Sequence, residues 1–304
     1  MALKTNKALI FILKLAVSSA SLYLIFSKTD EKQIIFILKS IGVSYFLLVS
    51  GVYILTQLIS TIRWKLLLPD KFEFKRLFSL YMIGSFFSTF MPSVIGGDAV
   101  KAYYLNKDAK KISLTLASIF MDRYIGFASL MTIGICAVPF SLSYFGESPY
   151  KWIMPLFFTV FVLGSLFFFG LKLGRRFKFV SEVYEYFVEL KARKHVIVKA
   201  LLISFVVQFL NFLMVVILAS AMGADIPLLL LFVFLPIVVT ITTLPISISG
   251  LGVREGSFVI LLALIGIKPE VATSLSLAWF FSVFLGSLLG LVAYIRHTNN
   301  LKAE

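Results

Sequence analysis

Among 304 residues there are one cysteine and two histidines. Cys136 lies within an apolar run, so the chain can build neither a disulfide framework nor a Cys-rich metal motif. His195 and His297 stand apart in charged flanks and read as solvated, and no metal site is expected. Acids are scarce, with 15 Asp and Glu against 29 Lys and Arg. No glycine-rich loop ends in Gly-Lys-Ser/Thr, which excludes a P-loop nucleotide site. No cofactor is expected.

What is abundant is hydrocarbon. Apolar residues make up 60 % of the chain, Phe alone contributes 32, and the mean hydropathy is +0.98. A soluble core of this length cannot hide that much, so the solvent is largely lipid. Apolar runs at 8–26, 42–62, 113–139, 152–171, 197–222 and 271–295 each reach the ~20 residues that cross a ~30 Å hydrocarbon layer. They predict six full crossings. Residues 1–26 begin like a signal peptide, but the run is long, Lys14 interrupts it and no small-residue cleavage site follows, so it reads as a retained first helix. The net charge of +14 falls between the apolar runs, where the positive-inside rule and anionic headgroups account for it. No nucleic-acid partner is expected.

Basic residues concentrate at 63–76, 101–111 and 172–199. With all three segments cytoplasmic, the stretch from 77 to 105 must enter and leave on the same side, as a re-entrant hairpin. Its tip is the "MPSVIGGD" break, where Pro92 removes a backbone donor and Gly96 and Gly97 permit a sharp reversal. Irregular backbone at that depth survives only against protein or a polar cavity. By the same parity, residues 227–268 enter and leave from outside around "TTLPISISGLGVREGSF", with tip residues Pro245, Gly250 and Gly252.

The two breaks align. Pro92 over Pro245 places Gly97 on Gly250, Val100 on Val253 and Lys101 on Arg254, an offset of 153 residues. The expected architecture is an all-α polytopic membrane protein in one integral membrane domain, with inverted halves at 1–145 and 146–304. Each half contributes three crossings and one broken-helix hairpin, a plan that recurs among secondary transporters. Both termini are expected in the cytoplasm.

Helix amino ends near Asp98 and Gly252 would offer N–H groups to an anion, with Lys101 and Arg254 about one turn away. Asp98 could instead act as an N-cap. Asp122 and Arg123, in "MDRYIG", lie deep in a crossing. There each charge costs roughly 2.5–3.5 kcal/mol, so both need partners. Lys101 and Arg254 are the candidates for Asp122; Asp98, Glu255 or a lipid phosphate are those for Arg123. A purely structural ion-pair network would have the same composition. Gln57, Gln208 and Asn211 read as interhelical glue. Arg63, Trp64 and Lys65 read as an interfacial anchor, and "YEYFVELKARKH" as an amphipathic surface helix.

"MPSVIGGDAVKAYYL", "ASIFMDRYIGFASL" and "LPISISGLGVREGSFVILLALIGI", in that order before a last long crossing, resemble flippase-like proteins related to the transmembrane domain of lysylphosphatidylglycerol synthase. The resemblance implies a bacterial or archaeal cytoplasmic-membrane protein that moves a lipid between leaflets; membrane lipids with an anionic headgroup and a lipid-modifying enzyme are the expected partners. The chain ends at Glu304, a few residues past its last crossing, so the soluble aminoacyl-transferase domain of the full-length synthases is not expected. No catalytic residue is assigned. Two other readings stand beside the flippase: a membrane-embedded transferase using Asp98, Asp122 or Glu255, and a carrier for a small anion.

Overall fold

The computed structural model describes residues 2–69, 72–91, 95–170 and 178–303. Those residues form twelve α-helices, one short 3-10 turn at Pro149–Trp152 and no strand. The first six helices are α1 (Ala2–Phe26), α2 (Glu31–Ser40), α3 (Val43–Leu66), α4 (Phe74–Phe90), α5 (Ile95–Ala109) and α6 (Ile112–Phe145). The second six are α7 (Ile153–Gly170), α8 (Lys178–Ala192), α9 (Lys194–Ala221), α10 (Leu228–Thr243), α11 (Val253–Ala263) and α12 (Pro269–Ala303).

Five of these are long and apolar enough to cross a membrane, at Val43–Leu66, Ile112–Phe145, Pro149–Gly170, Lys194–Ala221 and Pro269–Thr298. A sixth is reached when α1 and α2, bent by 90° at the intervening turn, count as one span. The expected six crossings hold on that count. Helix α2 was not anticipated: at ten residues it is too short for a span. Asp30 begins it, its Oδ1 accepting the backbone N–H groups of Lys32 and Gln33, the usual N-cap arrangement.

Both sequence breaks are helix breaks. Helix α4 stops at Met91, whose ψ of 146° is extended, and α10 stops at Leu244 with ψ 134°. Each residue precedes a proline, which bars it from helical dihedrals. Pro92 itself lies outside the described residues. After Pro245 the chain reverses through Ser249, Gly250 and Gly252, all at positive φ. Gly252 has a second constraint, since a Cβ there would come within 2.6 Å of the Ser21 Cβ on α1. The glycines of the first break differ from expectation. Gly96 and Gly97 sit in the first turn of α5 without positive φ. They serve close approach: a Cβ on Gly97 would lie 2.0 Å from the Gly84 carbonyl oxygen of α4, so the hairpin closes backbone on backbone.

The order of elements recurs at the sequence offset. Shifted back by 153, α10 falls on 75–90 beside 74–90 for α4, and α9 on 41–68 beside 43–66 for α3. The packing recurs with it. Helix α4 packs against α12 and α10 against α6; α3 packs against α12 and α9 against α6; α2 packs against α12 and α8 against α6. The first limb of each hairpin therefore leans on the long helix of the other half, while the second limb, α5 or α11, packs on the long helix of its own. The hairpins also open toward opposite ends of α12. At its carboxyl end, Arg76 at the start of α4 binds Asp108 near the end of α5 (2.9 Å), and its Nη1 and Nη2 lie within hydrogen-bond distance of His297 Nδ1 and Nε2 (2.9 and 3.3 Å). His297, expected to be solvated, is half-buried and packs edge-on against Tyr104. At the amino end of α12, α11 joins through residues 264–268 and Glu270 accepts the backbone N–H of Asp30. The predicted surface helix is α8, tied to the end of α3 by a hydrogen bond from the Tyr186 hydroxyl to the Leu67 carbonyl.

Candidate functional site

The breaks meet. Ser249, in the second, donates to the carbonyls of Ser88 and Met91 at the carboxyl end of α4 (3.0 and 2.9 Å). A broken helix leaves its last carbonyls without intrahelical partners, and here the opposite break supplies one. Beside this junction is a cavity of about 620 Å³, walled by α3, α4, α5, α6, α9, α10, α11 and α12. Asp98, Lys101, Asp122, Arg123 and Arg254 all line it; Glu255 does not but pairs with Arg254. The six charged residues singled out in the sequence thus form one constellation.

Their pairing differs from the sequence expectation at one centre. Asp122, ten residues into α6 and so ~15 Å along it, is fully buried and is held by neither Lys101 nor Arg254. Arg63 Nε donates to its Oδ1 at 2.8 Å and the Tyr81 hydroxyl to its Oδ2 at 2.9 Å. Arg63 is therefore no interfacial anchor: it is 4 % exposed, and Nη1 reaches Ser204 on α9 at 2.9 Å. Gly126 makes the room, since a Cβ there would stand 2.9 Å from Arg63 Nη1. Burying this guanidinium beside a carboxylate offsets the cost that either charge would carry unpaired.

Arg123 finds the expected Asp98, with Nε to Oδ2 at 2.8 Å and Nη2 to Oδ1 at 3.2 Å. Asp98 thus spends both oxygens on side chains rather than capping α5. Lys101 is 3.6 Å from the same carboxylate, and its ammonium also sits over the rings of Tyr81 (4.2 Å) and Trp64 (4.5 Å), contacts that favour a desolvated cation. In the second half Arg254 pairs with its neighbour Glu255, Nη2 to Oε1 at 2.7 Å, with Ser276 bridging both and Phe280 beneath the guanidinium. Glu255 Oε2 accepts the Gly252 N–H at 2.6 Å, capping α11. Adjacent side chains diverge around a helix, but here both are long and Ser276 draws them together.

Among the described residues one positive charge is left over. Arg63 balances Asp122 and Arg254 balances Glu255, while Lys101 and Arg123 share Asp98. Nη1 of Arg123 and Nη1 of Arg254 have no hydrogen-bond partner among the described residues. The Arg123 side chain, 49 % exposed, is open where the others are enclosed. Among the described residues no group of His, Cys, Asp and Glu could hold a metal ion. The sequence reading missed Arg63 and Tyr81 as members of the site. Arg63 had been placed at a predicted interface, and the only signal of Tyr81 was a polar side chain about one turn into the predicted hairpin.

Broken helices meeting beside a polar, ion-paired cavity, among helices long and apolar enough to cross a membrane, define a multi-pass helical membrane protein. The family is shown by its profile: the lysylphosphatidylglycerol synthase TM region matches residues 11–290, and the chain belongs to that family. It is also similar to a UPF0104 membrane protein of Methanothermobacter thermautotrophicus, 22 % identical over 253 residues that cover 72 % of this chain and 74 % of the relative.

Proposed function

We propose that this chain is a flippase-like transporter of the cytoplasmic membrane, with both termini inside and two inverted halves, and that its cavity carries a phosphate-bearing lipid headgroup between leaflets. One observation carries the reading. Arg123 and Arg254, one from each half, line a single cavity at the junction of the two breaks, and among the described residues their Nη1 groups have no partner and one cation is in surplus. A phosphate diester would neutralise the surplus and accept from both arginines, charge-assisted bonds of about twice ordinary strength. Those bonds replace the headgroup's hydration while the acyl chains remain in lipid, which lowers the barrier to crossing. A bare small anion would leave most of about 620 Å³ unfilled, so the lipid is preferred to the solute. A lipid-modifying enzyme supplying the cargo is the proposed partner.

The test is leaflet exchange. Purified protein in liposomes with acyl-labelled anionic and zwitterionic phospholipids should equilibrate the anionic label faster than empty vesicles do. Arg123→Gln and Arg254→Gln should each slow it roughly tenfold, the size of one lost charge-assisted bond. Exchange no faster than in protein-free vesicles, across the whole panel, removes the transport reading.

A further inference from the structure

The two breaks treat their orphaned carbonyls differently. In a continuous helix the Ser88 carbonyl would accept the N–H of residue 92, but residue 92 is proline and has none. Its counterpart at the 153-residue offset is the Ile241 carbonyl, deprived in the same way by Pro245. Ile241 finds a donor in its own segment, the Leu244 N–H at 3.2 Å. Ser88 takes one from the other half: the Ser249 hydroxyl lies 3.0 Å from its carbonyl oxygen and 2.9 Å from that of Met91. The reverse contact has no equivalent, because the repeat-mate of Ser249 is Gly96, which carries no hydroxyl.

Ser249 makes this contact at a cost. Its φ of 51° lies in the left-handed region, which glycine enters freely and serine does not. The residues around it are held without help from α4. Ile248 donates its N–H to Ser18 Oγ on α1 at 2.9 Å, Leu251 to the Ile248 carbonyl at 2.9 Å, and Gly252 to Glu255 Oε2. Neither α4 nor α5, in turn, packs extensively on α10 or α11; each hairpin rests on α6 and α12 instead. The junction is a hydrogen-bonded contact between two separately supported elements, and it can break without unpacking either.

We infer that the Ser249 hydroxyl is a releasable clasp between the halves: bonded, it shuts the cavity at the junction of the breaks; released, it lets the end of α4 part from the second break and opens that side. Ser88, Thr89 and Ser249 all line the cavity, so the carbonyls freed on release face a space where water can answer them. The inference rests on the transport reading for its purpose, but the parting of the breaks is a distance and is measured without transport.

In a Cys136→Ser background, cysteines replacing Phe90 and Ile246, exposed residues on either side of the contact, carry spin labels. Their distance distribution is read in liposomes by pulsed electron resonance, beside leaflet exchange of acyl-labelled phospholipid. The protein with Ser249 in place should give a dominant short distance and a minor long one. Ser249→Ala removes the donor and keeps the left-handed backbone; it should raise the long population about fivefold and speed leaflet exchange by a similar factor, the effect of one neutral hydrogen bond. A serine that merely braced the fold would change exchange in the opposite direction. Ser249→Gly, which accepts the same φ without strain, should behave alike and serves if the alanine variant does not fold. If neither folds, the parent decides alone, a single short distance overturning the clasp. Identical distributions in parent and variants overturn it too, as does parental exchange that neither variant accelerates, which leaves transport standing. A longer distance in the variants with no exchange by any of the proteins removes the transport reading and leaves the clasp.

Discussion

Arg63 and Arg123 each meet a carboxylate at 2.8 Å, yet their replacement should have opposite consequences, because burial differs. The Arg63–Asp122 pair is 5 % and 0 % exposed. Removing one member strands a charge in a nearly dry site, so Arg63→Met should lower stability in detergent by about 3–5 kcal/mol, and adding Asp122→Leu should recover most of it. Thermal unfolding of the two variants decides; equal loss in single and double would mean that packing, not charge, holds the site. Arg123 is half exposed, so Arg123→Gln should cost no more than about 1 kcal/mol, while leaflet exchange falls. The sequence made Arg123 legible, because a charge mid-span needs a reason. It hid Arg63, because a cation beside tryptophan near a helix end also describes an interfacial anchor. Only the approach of α6 and α9, through Gly126 and Ser204, distinguishes the two.

Between helices, close approach replaces turn chemistry as the work of the first break's glycines. Gly97→Ala would push a Cβ onto the Gly84 carbonyl at 2.0 Å, and Gly290→Ala onto the Met82 carbonyl at 2.0 Å. Neither neighbour is a flexible side chain. Each change should destabilise by about 1–3 kcal/mol, and Gly97→Ala should also slow leaflet exchange by parting α4 from α5. Gly164→Ala, with nothing within 4 Å of the new methyl, is the control. It should gain up to about 1 kcal/mol from helix propensity. Melting temperatures in detergent rank the three, and a neutral Gly97→Ala would contradict the tight hairpin. The helix stops were legible to within a few residues because proline acts locally on the residue before it. The fit of Gly97 to Gly84 was not, because it depends on a neighbour the local sequence does not name. The short amphipathic α2 escaped notice for a related reason: ten residues fall below any span, and only its kinship to α8 at the 153-residue offset marks it as an element.

At the scale of the molecule, the exchange of packing partners between halves is what brings two breaks to one place. Helix α4 leans on α12 and α10 on α6, while α5 packs on α6 and α11 on α12, so each hairpin touches both long helices. The alignment of Pro92 with Pro245 and of Lys101 with Arg254 at the 153-residue offset pointed to this relation, since equivalent elements at that offset pack on the two long helices. The orientation of the halves in the membrane follows from charge parity and is open to direct test. In a Cys136→Ser background, which removes the exposed native thiol, single cysteines would replace Lys110, Glu147, Lys194 and Asp225. An impermeant maleimide should label positions 147 and 225 in intact cells, and positions 110 and 194 only after the membrane is opened. The pair at 110 and 225 matters most, since each borders one hairpin, the first after α5 and the second before α10. Labelling of both from the same side would bring the hairpins in from one face. The helix ends could not then approach from opposite leaflets, and a headgroup held between Arg123 and Arg254 would have no path from one side to the other.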